Sequence, residues 1–395
     1  MRTFTPITGK VRFLGFKNYF GRGVRMKYDV LIIGGGPAGN YLANLLARDF
    51  SVAVVEKKGA FGGKACTGII GAANYERLGL PEEAVLNELR GAAFYSRIQS
   101  FEIERKTPQA YLVDRKALEK SLAERAARRG VDYYMATTFK GFRNGKAVLQ
   151  HLGETLEVEA SFYVGADGVN SSVAKAIGAR TNAEFLSGYE VEVVGEFRKD
   201  FVEVWVNKDM NEDFFMWVAP VNEGLARVGT LGSIEALNRF LRVRMLKPTS
   251  IVEFKAGSVG FGWRKPWVRG NVALLGDAAL QIKPTTAGGI VFGMLCARAL
   301  REALMVGKLD EYERLCQEIR NQISFGMRFR KIFRGMSQEN IERVFEVLGS
   351  AEAKEVIEGQ ADFDDHVKTA KAILRRPKLL AKLIRISPSI VRYLV

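Results

Sequence analysis

The chain has 395 residues, 47% of them hydrophobic, with a net charge of +15, three cysteines and two histidines. That length can hold two domains around sizeable cores, and no apolar run reaches the roughly 18 residues of a membrane-spanning helix or has the form of a secretory h-region. Cys66, Cys296 and Cys316 are too few and too far apart for a disulfide framework, an iron–sulfur run or a zinc site. His151 and His366 stand in unrelated contexts, so neither a histidine-based metal site nor a catalytic triad is expected. The excess positive charge bears on partners rather than on fold.

Residues 1–27 contain Arg2, Lys10, Arg12, Lys17, Arg22, Arg25 and Lys27, and no acid. The segment has no clean periodicity. It reads as a disordered extension, or as an upstream start with Met26 as the natural first residue, in preference to a basic arm for anionic lipid. Residues 28–33 then form an apolar, β-branched strand. Gly34, Gly36 and Gly39 follow in G-x-G-x-x-G spacing, residues 41–46 have helical periodicity, and the strand 51–55 ends on Glu56. Strand, glycine turn, helix, strand and acid in this order make a dinucleotide-binding βαβ unit. Gly34 permits the tight turn, Gly36 lets backbone approach a pyrophosphate, and Gly39 lets helix pack on strand. The helix N-terminus offers unpaired N–H groups to phosphate. Glu56 is placed to accept from an adenosine ribose and disfavours a 2′-phosphate, so FAD or NAD fits better than NADP. The candidate cofactor contacts here are Gly34, Gly36, Pro37, Ala38, Gly39, Glu56 and Lys57.

A glycine-dense loop, residues 57–68, runs on from this unit and contains Cys66. Residues 81–90 read as helix after Pro81, and 94–112 as a hairpin turning at Thr107-Pro108. A helix over 116–129 opens at Asp114-Arg115 and stops at Gly130. Strands follow at 131–134, around 138–149, at 154–160 and at 161–165, the last running into Asp167-Gly168 and a helix start. From 185 to 267 short alternating strands dominate, at 188–197, 201–206, 214–218 and 225–231, with a helix near 233–246. This reads as an antiparallel sheet inserted into the nucleotide-binding fold. Residues 272–275 return as a buried parallel strand that leads into Gly276-Asp277, Gly288-Gly289 and a long helix over 289–305. The rest is helical. The fold class is therefore α/β, a Rossmann-like FAD-binding domain (28–93, 113–184 and 268–305) with an inserted antiparallel β-sheet substrate domain (94–112 and 185–267) and a helical C-terminus (306–395).

Three separated motifs, Gly34-x-Gly36-x-x-Gly39 with Glu56, Val164-Gly165-Ala166-Asp167-Gly168, and Leu275-Gly276-Asp277-Ala278-Ala279 with Gly288-Gly289, stand with Arg115 at a helix start. Together they resemble the FAD proteins of the p-hydroxybenzoate hydroxylase-like superfamily over roughly residues 28–305. The resemblance implies that Asp277 hydrogen-bonds ribityl or ribose hydroxyls, that Asp167-Gly168 lies beside the dinucleotide and that Arg115 contacts the cofactor. The Gly288-Gly289 pair opens a helix whose N–H groups would stabilise negative charge on reduced flavin. Within that superfamily the chain is most similar to the geranylgeranyl reductase family, through GGKACTG (62–68), FFMWVAP (214–220) and GDAALQIKPTTAGGI (276–290). That family has a Y-x-W-x-F-P strand over its substrate cavity. Trp217 and Pro220 match it, while Phe215 replaces the tyrosine and Ala219 the phenylalanine.

The resemblance implies saturation of isoprenoid double bonds, including those of digeranylgeranylglycerol phospholipids, by hydride from reduced flavin plus a proton. Cys66 is the candidate proton donor or relay. Phe215, Trp217 and Pro220 are candidate substrate contacts, and Phe185, Phe214, Phe261 and Trp263 are available as further lining. The alternative is an FAD-dependent hydroxylase of the p-hydroxybenzoate hydroxylase class. With no second nucleotide fingerprint, electrons are expected from a docking NAD(P)H or a small acidic carrier such as ferredoxin. No nucleic acid is expected as partner. Leu379, Leu380, Leu383 and Ile384 share one helical face and Lys378, Lys382 and Arg385 another. That helix either lies on a membrane surface or docks on its own core. The expected location is the cytoplasm, with contact at the inner face of the cell membrane.

Overall fold

The computed structural model describes residues 27–388. The reading of the basic N-terminal segment falls outside them up to residue 26, as does the apolar tail from 389. The strand Lys27–Ile33 is buried on both faces from Val30 onward, as is all of Val52–Val55. Strands buried on both faces suit the centre of a parallel sheet, and that is where they sit. The first sheet runs Val268–Arg269, Val272–Leu274, Glu154–Gly165, Lys27–Ile33, Val52–Val55, Asp132–Tyr134. All neighbours are parallel except the first pair. Glu154–Gly165 is one continuous strand of 12 residues rather than two. Its first half pairs antiparallel with Lys146–His151, and its second half joins the parallel sheet. The helices Pro37–Leu46, Arg115–Ala127 and Ile290–Met305 pack together against this layer.

The carboxyl ends of the parallel strands, at Ile33, Val55, Tyr134, Gly165 and Leu274, lie side by side in the register. The loops leaving them carry the motifs singled out in the sequence. This is the edge at which open α/β sheets bind ligands.

The second sheet is ordered Ile251–Phe261, Glu184–Val194, Leu225–Leu231, Met216–Asn222, Phe201–Trp205, Gly91–Tyr95, Ser100–Glu104. Helix Ile234–Val243 covers one face through Val191, Val193, Val218, Val228 and Phe240. The 11-residue edge strand Ile251–Phe261 was not anticipated.

Two local expectations are corrected. Residues 81–90 are not a helix: a single 3-10 turn, Glu82–Ala84, leads into the strand Val85–Leu89. The reason is non-local, because this strand pairs with Ala110–Val113, which also pairs with Ile69–Gly71 in a separate small sheet. The hairpin is likewise shifted: Gly91–Tyr95 and Ser100–Glu104 pair with each other, turning at 96–99 and not at Thr107-Pro108.

The C-terminal region is a run of helices from Glu311–Leu315 to Pro377–Ile386. In the last one Leu379 and Leu383 are buried against Ile332, Val347 and Ala353, while Lys378, Lys382 and Arg385 are exposed. Leu379 and Leu383 are therefore docked on the protein's own core, Leu380 and Ile384 are partly buried, and the basic residues meet solvent.

Candidate active site

The first glycine turn obeys strict steric limits. Gly34 has φ +111°, and a Cβ there would lie 2.3 Å from the Ala166 carbonyl oxygen. A Cβ on Gly39 would lie 2.1 Å from the Gly34 oxygen, so helix and strand touch backbone to backbone. A Cβ on Gly36 would enter open space, the position a pyrophosphate needs. Pro37 occupies the first turn of the helix, whose N-terminus has no side-chain cap. Ala38 packs toward Gly276 and Gly293, tying this helix to the third motif. Glu56 accepts from the Gly35 amide at 2.9 Å and from the Lys58 amide at 2.9 Å. Its carboxylate is thus held at the end of its strand, with Lys57 exposed beside it. Asn40, fully buried, braces the loop by donating to the Gly35 carbonyl at 2.7 Å and the Glu119 carbonyl at 3.1 Å.

The second motif touches the first through its main chain. The Asp167 nitrogen lies 2.8 Å from where a Gly34 Cβ would be. The Asp167 side chain faces the other way, accepting from Ser171 Oγ at 2.5 Å and the Ser172 amide at 2.6 Å to cap the helix Ser172–Ala176. Any Asp167 role toward a dinucleotide therefore falls to its backbone and to Gly168, which has φ +82° and faces open space.

In the third motif, Asp277 lies against Gly289, where a Cβ would be 2.7 Å from Asp277 Oδ1. Helix Ile290–Met305 starts there with no side-chain cap. Asp277 pairs with Lys64, a residue the sequence reading did not single out. Burial pushes the Asp277 carboxyl up, but Lys64 and then Arg115 outweigh it and hold the group below its ordinary value. Arg115 is 15% exposed and donates to Glu119 Oε1 at 2.6 Å. Burial disfavours its charge, yet Cys66, Glu119 and Asp277 together hold its ionisation above the ordinary arginine range. Glu119 in turn accepts from the Gly62 amide at 2.7 Å, fixing the cysteine-bearing loop. Two uncapped helix N-termini, an open glycine cradle and a carboxylate beside Gly289 fit an FAD laid across these loops.

The same loop forms the roof of the second sheet. Ala65 sits on Gly257, where a Cβ would lie 3.2 Å from Ala65 Cβ. Thr67 donates to Glu190 Oε2 at 2.5 Å, and Arg227 donates to the Thr67 carbonyl at 2.7 Å. Cys66 is half-buried between these two anchors. Trp217 lies over Gly229, where a Cβ would meet its ring at 2.5 Å. Phe215 and Trp217 gather with Phe214, Phe261, Ile282 and Ala287, so the aromatic cluster abuts the loop that precedes Gly288-Gly289. Of the other expected lining residues, Phe185 is 44% exposed, and Trp263 packs with the first sheet instead. Pro220 does not join Phe215 and Trp217. Strand alternation puts it with Val218 on the opposite face, and its carbonyl accepts from Asn87 at 2.8 Å. Cys296 and Cys316 are buried neighbours, and burial, followed by Cys316, pushes the Cys296 thiol well up.

The C-terminal region reaches this edge as well. Lys283 and Asp364, 6% and 4% exposed, form an ion pair at 2.6 Å. Asp364 also accepts from the Gly71 amide and from Asn74, both at 3.1 Å. Nothing local marks this pair beyond a lysine in an otherwise glycine- and threonine-rich loop.

The family model described as FAD binding domain matches residues 27–308. An uncharacterized protein of Methanocaldococcus jannaschii is 30% identical over 89% of this chain and 96% of its own length. A digeranylgeranylglycerophospholipid reductase of Methanothermobacter thermautotrophicus is 31% identical over 84% of this chain and 93% of its own. Among solved structures, a geranylgeranyl bacteriochlorophyll reductase-like protein of Thermoplasma acidophilum superposes with a TM-score of 0.77 at 22% identity, covering 91% of this chain and 99% of that one.

Proposed function

From the premise that the chain belongs to the FAD binding domain family, at family-level identity to digeranylgeranylglycerophospholipid reductases, we propose the following activity. The protein is an FAD-dependent oxidoreductase that saturates double bonds in the geranylgeranyl chains of archaeal-type membrane phospholipids. The observation that carries this reading is the position of residues 62–68. That loop holds Lys64 on Asp277 at the cofactor edge, seats Ala65, one residue on, on Gly257 of the second sheet, and anchors Thr67 on Glu190.

Bound FAD supplies a hydride once reduced. The chain's own residues do the rest. Gly34, Gly36, Gly39 and the N-terminus of Pro37–Leu46 take the pyrophosphate, and Glu56 takes the adenosine ribose. Asp277, freed from Lys64 or shared with it, takes hydroxyls of the ribityl side. Arg115, through its charge, and the backbone at Gly168 complete the cradle. The N-terminus of Ile290–Met305, opened by Gly288-Gly289, favours negative charge on the reduced ring. Phe215 and Trp217 face the prenyl chain and keep water from it. Cys66 lies between cofactor edge and sheet and contacts the reacting bond.

Electrons come from a nicotinamide or a small acidic protein carrier such as ferredoxin, for which the net charge of +15 is suited. No described helix is long and apolar enough to cross a membrane. Contact with the inner face of the cell membrane is proposed through basic residues such as Lys378, Lys382 and Arg385.

The test is anaerobic turnover of the reduced protein with digeranylgeranyl lipids, read by mass spectrometry. Product should gain two hydrogens per bond. Oxygen insertion on admitting air, with no hydrogen gain before it, would instead mark a hydroxylase.

A further inference from the structure

Glu190 sits in the second sheet, on the face covered by the cysteine loop, and is 3% exposed. Its neighbours across the sheet are Gly229 on one side and Lys255 on the other. Gly229 has no side chain to separate Glu190 from Trp217, which pairs with Gly229 from the next strand. The indole therefore leans over the gap toward the carboxyl group. Glu190 Oε2 accepts from Thr67, the residue after Cys66. Glu190 Oε1 and Trp217 Nε1 are both buried and have no hydrogen-bond partner among the described residues.

Two cations lie near enough to neutralise Glu190, but each is engaged elsewhere. Arg227 donates to Glu192 at 2.8 Å and to the carbonyls of Thr67 and Val113. Lys255 pairs with Glu253 at 2.6 Å and with Glu192 at 3.6 Å. Glu190 is left with a hydroxyl donor on Oε2 and a buried Oε1 turned toward the Trp217 indole. A carboxyl in that setting resists giving up its proton. Burial raises it most, and Thr67, Arg227, Lys255 and Trp217 only partly offset the rise. The outcome is an acid that holds its proton to higher pH than an ordinary glutamate, at the sheet face where the loop from the cofactor edge arrives.

We propose that Glu190 is the proton donor of the alkene reduction, delivering from Oε1 beside Trp217. This deepens the function proposed above and rests on it. The carbon–carbon π bond breaks. One carbon gains a hydride with its electron pair from reduced flavin, and the other gains the Glu190 proton. The carboxylate left behind recovers a proton from water before the next turnover. On this proposal Cys66, the residue before Thr67, contacts the reacting bond without supplying the proton.

The test compares wild type, Glu190→Gln and Cys66→Ala, all loaded with FAD. The Gln variant keeps an acceptor for Thr67, so FAD content and melting temperature should match wild type. Anaerobic reoxidation by a digeranylgeranyl lipid should slow by about 100-fold or more in Glu190→Gln. The wild-type rate should fall as pH rises through the Glu190 ionisation, a limb missing from the Gln variant and retained by Cys66→Ala. Independently of turnover, infrared spectra of the cofactor-free protein should show a protonated-carboxyl band that persists above the ordinary glutamate range and that Glu190→Gln removes. A Gln variant with the wild-type rate and pH profile, or no such band, overturns the proposal while leaving the reductase reading intact. A wild-type flavin that no prenyl lipid reoxidises overturns the reading, and the proposal with it.

Discussion

Replacing Lys283 with Met should loosen the segment 361–366 from the cofactor edge. The two partners are 6% and 4% exposed and 2.6 Å apart, so removing the lysine leaves the Asp364 carboxylate buried with only the Gly71 amide and Asn74 as donors. Breaking a buried pair from one side costs about 3–5 kcal/mol. At about 1.4 kcal/mol per factor of ten, local opening should rise by between two and four decades. The assay is hydrogen exchange by mass spectrometry on peptides covering 69–74 and 361–366. The double variant Lys283→Met with Asp364→Asn keeps an acceptor but no bare charge, and it should recover much of the loss. Lys283 Cε also lies 2.8 Å from where a Gly288 Cβ would be. FAD affinity should therefore fall in the single variant as the turn before Ile290–Met305 relaxes. Unchanged exchange in Lys283→Met, or strict additivity in the cycle, would refute the reasoning.

Asp277→Ala should lower FAD affinity by roughly 10- to 100-fold, the worth of a hydrogen bond to a charged group, and flavin content after dialysis reads it. Normal content would remove Asp277 from the cradle. Burial, reinforced by Lys283, holds the His366 imidazole down to about 4 from 6.5. Its contribution to stability is thus present above about pH 6.5 and lost as pH falls through about 4. Protection of 361–366, corrected for the pH dependence of intrinsic exchange, should fall over that window, and an imidazole NMR titration midpoint near 6.5 would contradict it. Leu379→Ala should cost about 2–5 kcal/mol of stability and leave binding to anionic vesicles unchanged. The reverse pattern would mean that the apolar face of Pro377–Ile386 meets lipid.

What the sequence disclosed and what it hid divide by range. Gly34 and Gly39 are legible because their constraints are imposed within a single βαβ unit, by φ +111° and a 2.1 Å approach. Asp277 is legible through its neighbours Gly288 and Gly289. Val85–Leu89 was misread because its partner strand lies some 25 residues on, and Pro81 with two glutamates imitates a helix start. Glu190 and Glu192 alternate with Tyr189, Val191 and Val193 as the solvent side of a strand would. What buries Glu190 is a loop from the other sheet, seated on Gly257 and Thr67's hydrogen bond. Lys283 and Asp364 are 81 residues apart, and nothing local to either marks the other. Pro220 matched a motif letter by letter, yet strand alternation carries it away from Trp217.

The most direct test of the account is anaerobic and optical. Purified protein should carry bound FAD, bleach on chemical reduction, and regain the oxidised flavin spectrum on adding a digeranylgeranyl phospholipid, with one flavin oxidised per bond saturated. A protein that takes up no flavin, or whose reduced flavin stays bleached in the presence of every prenyl lipid, would contradict it.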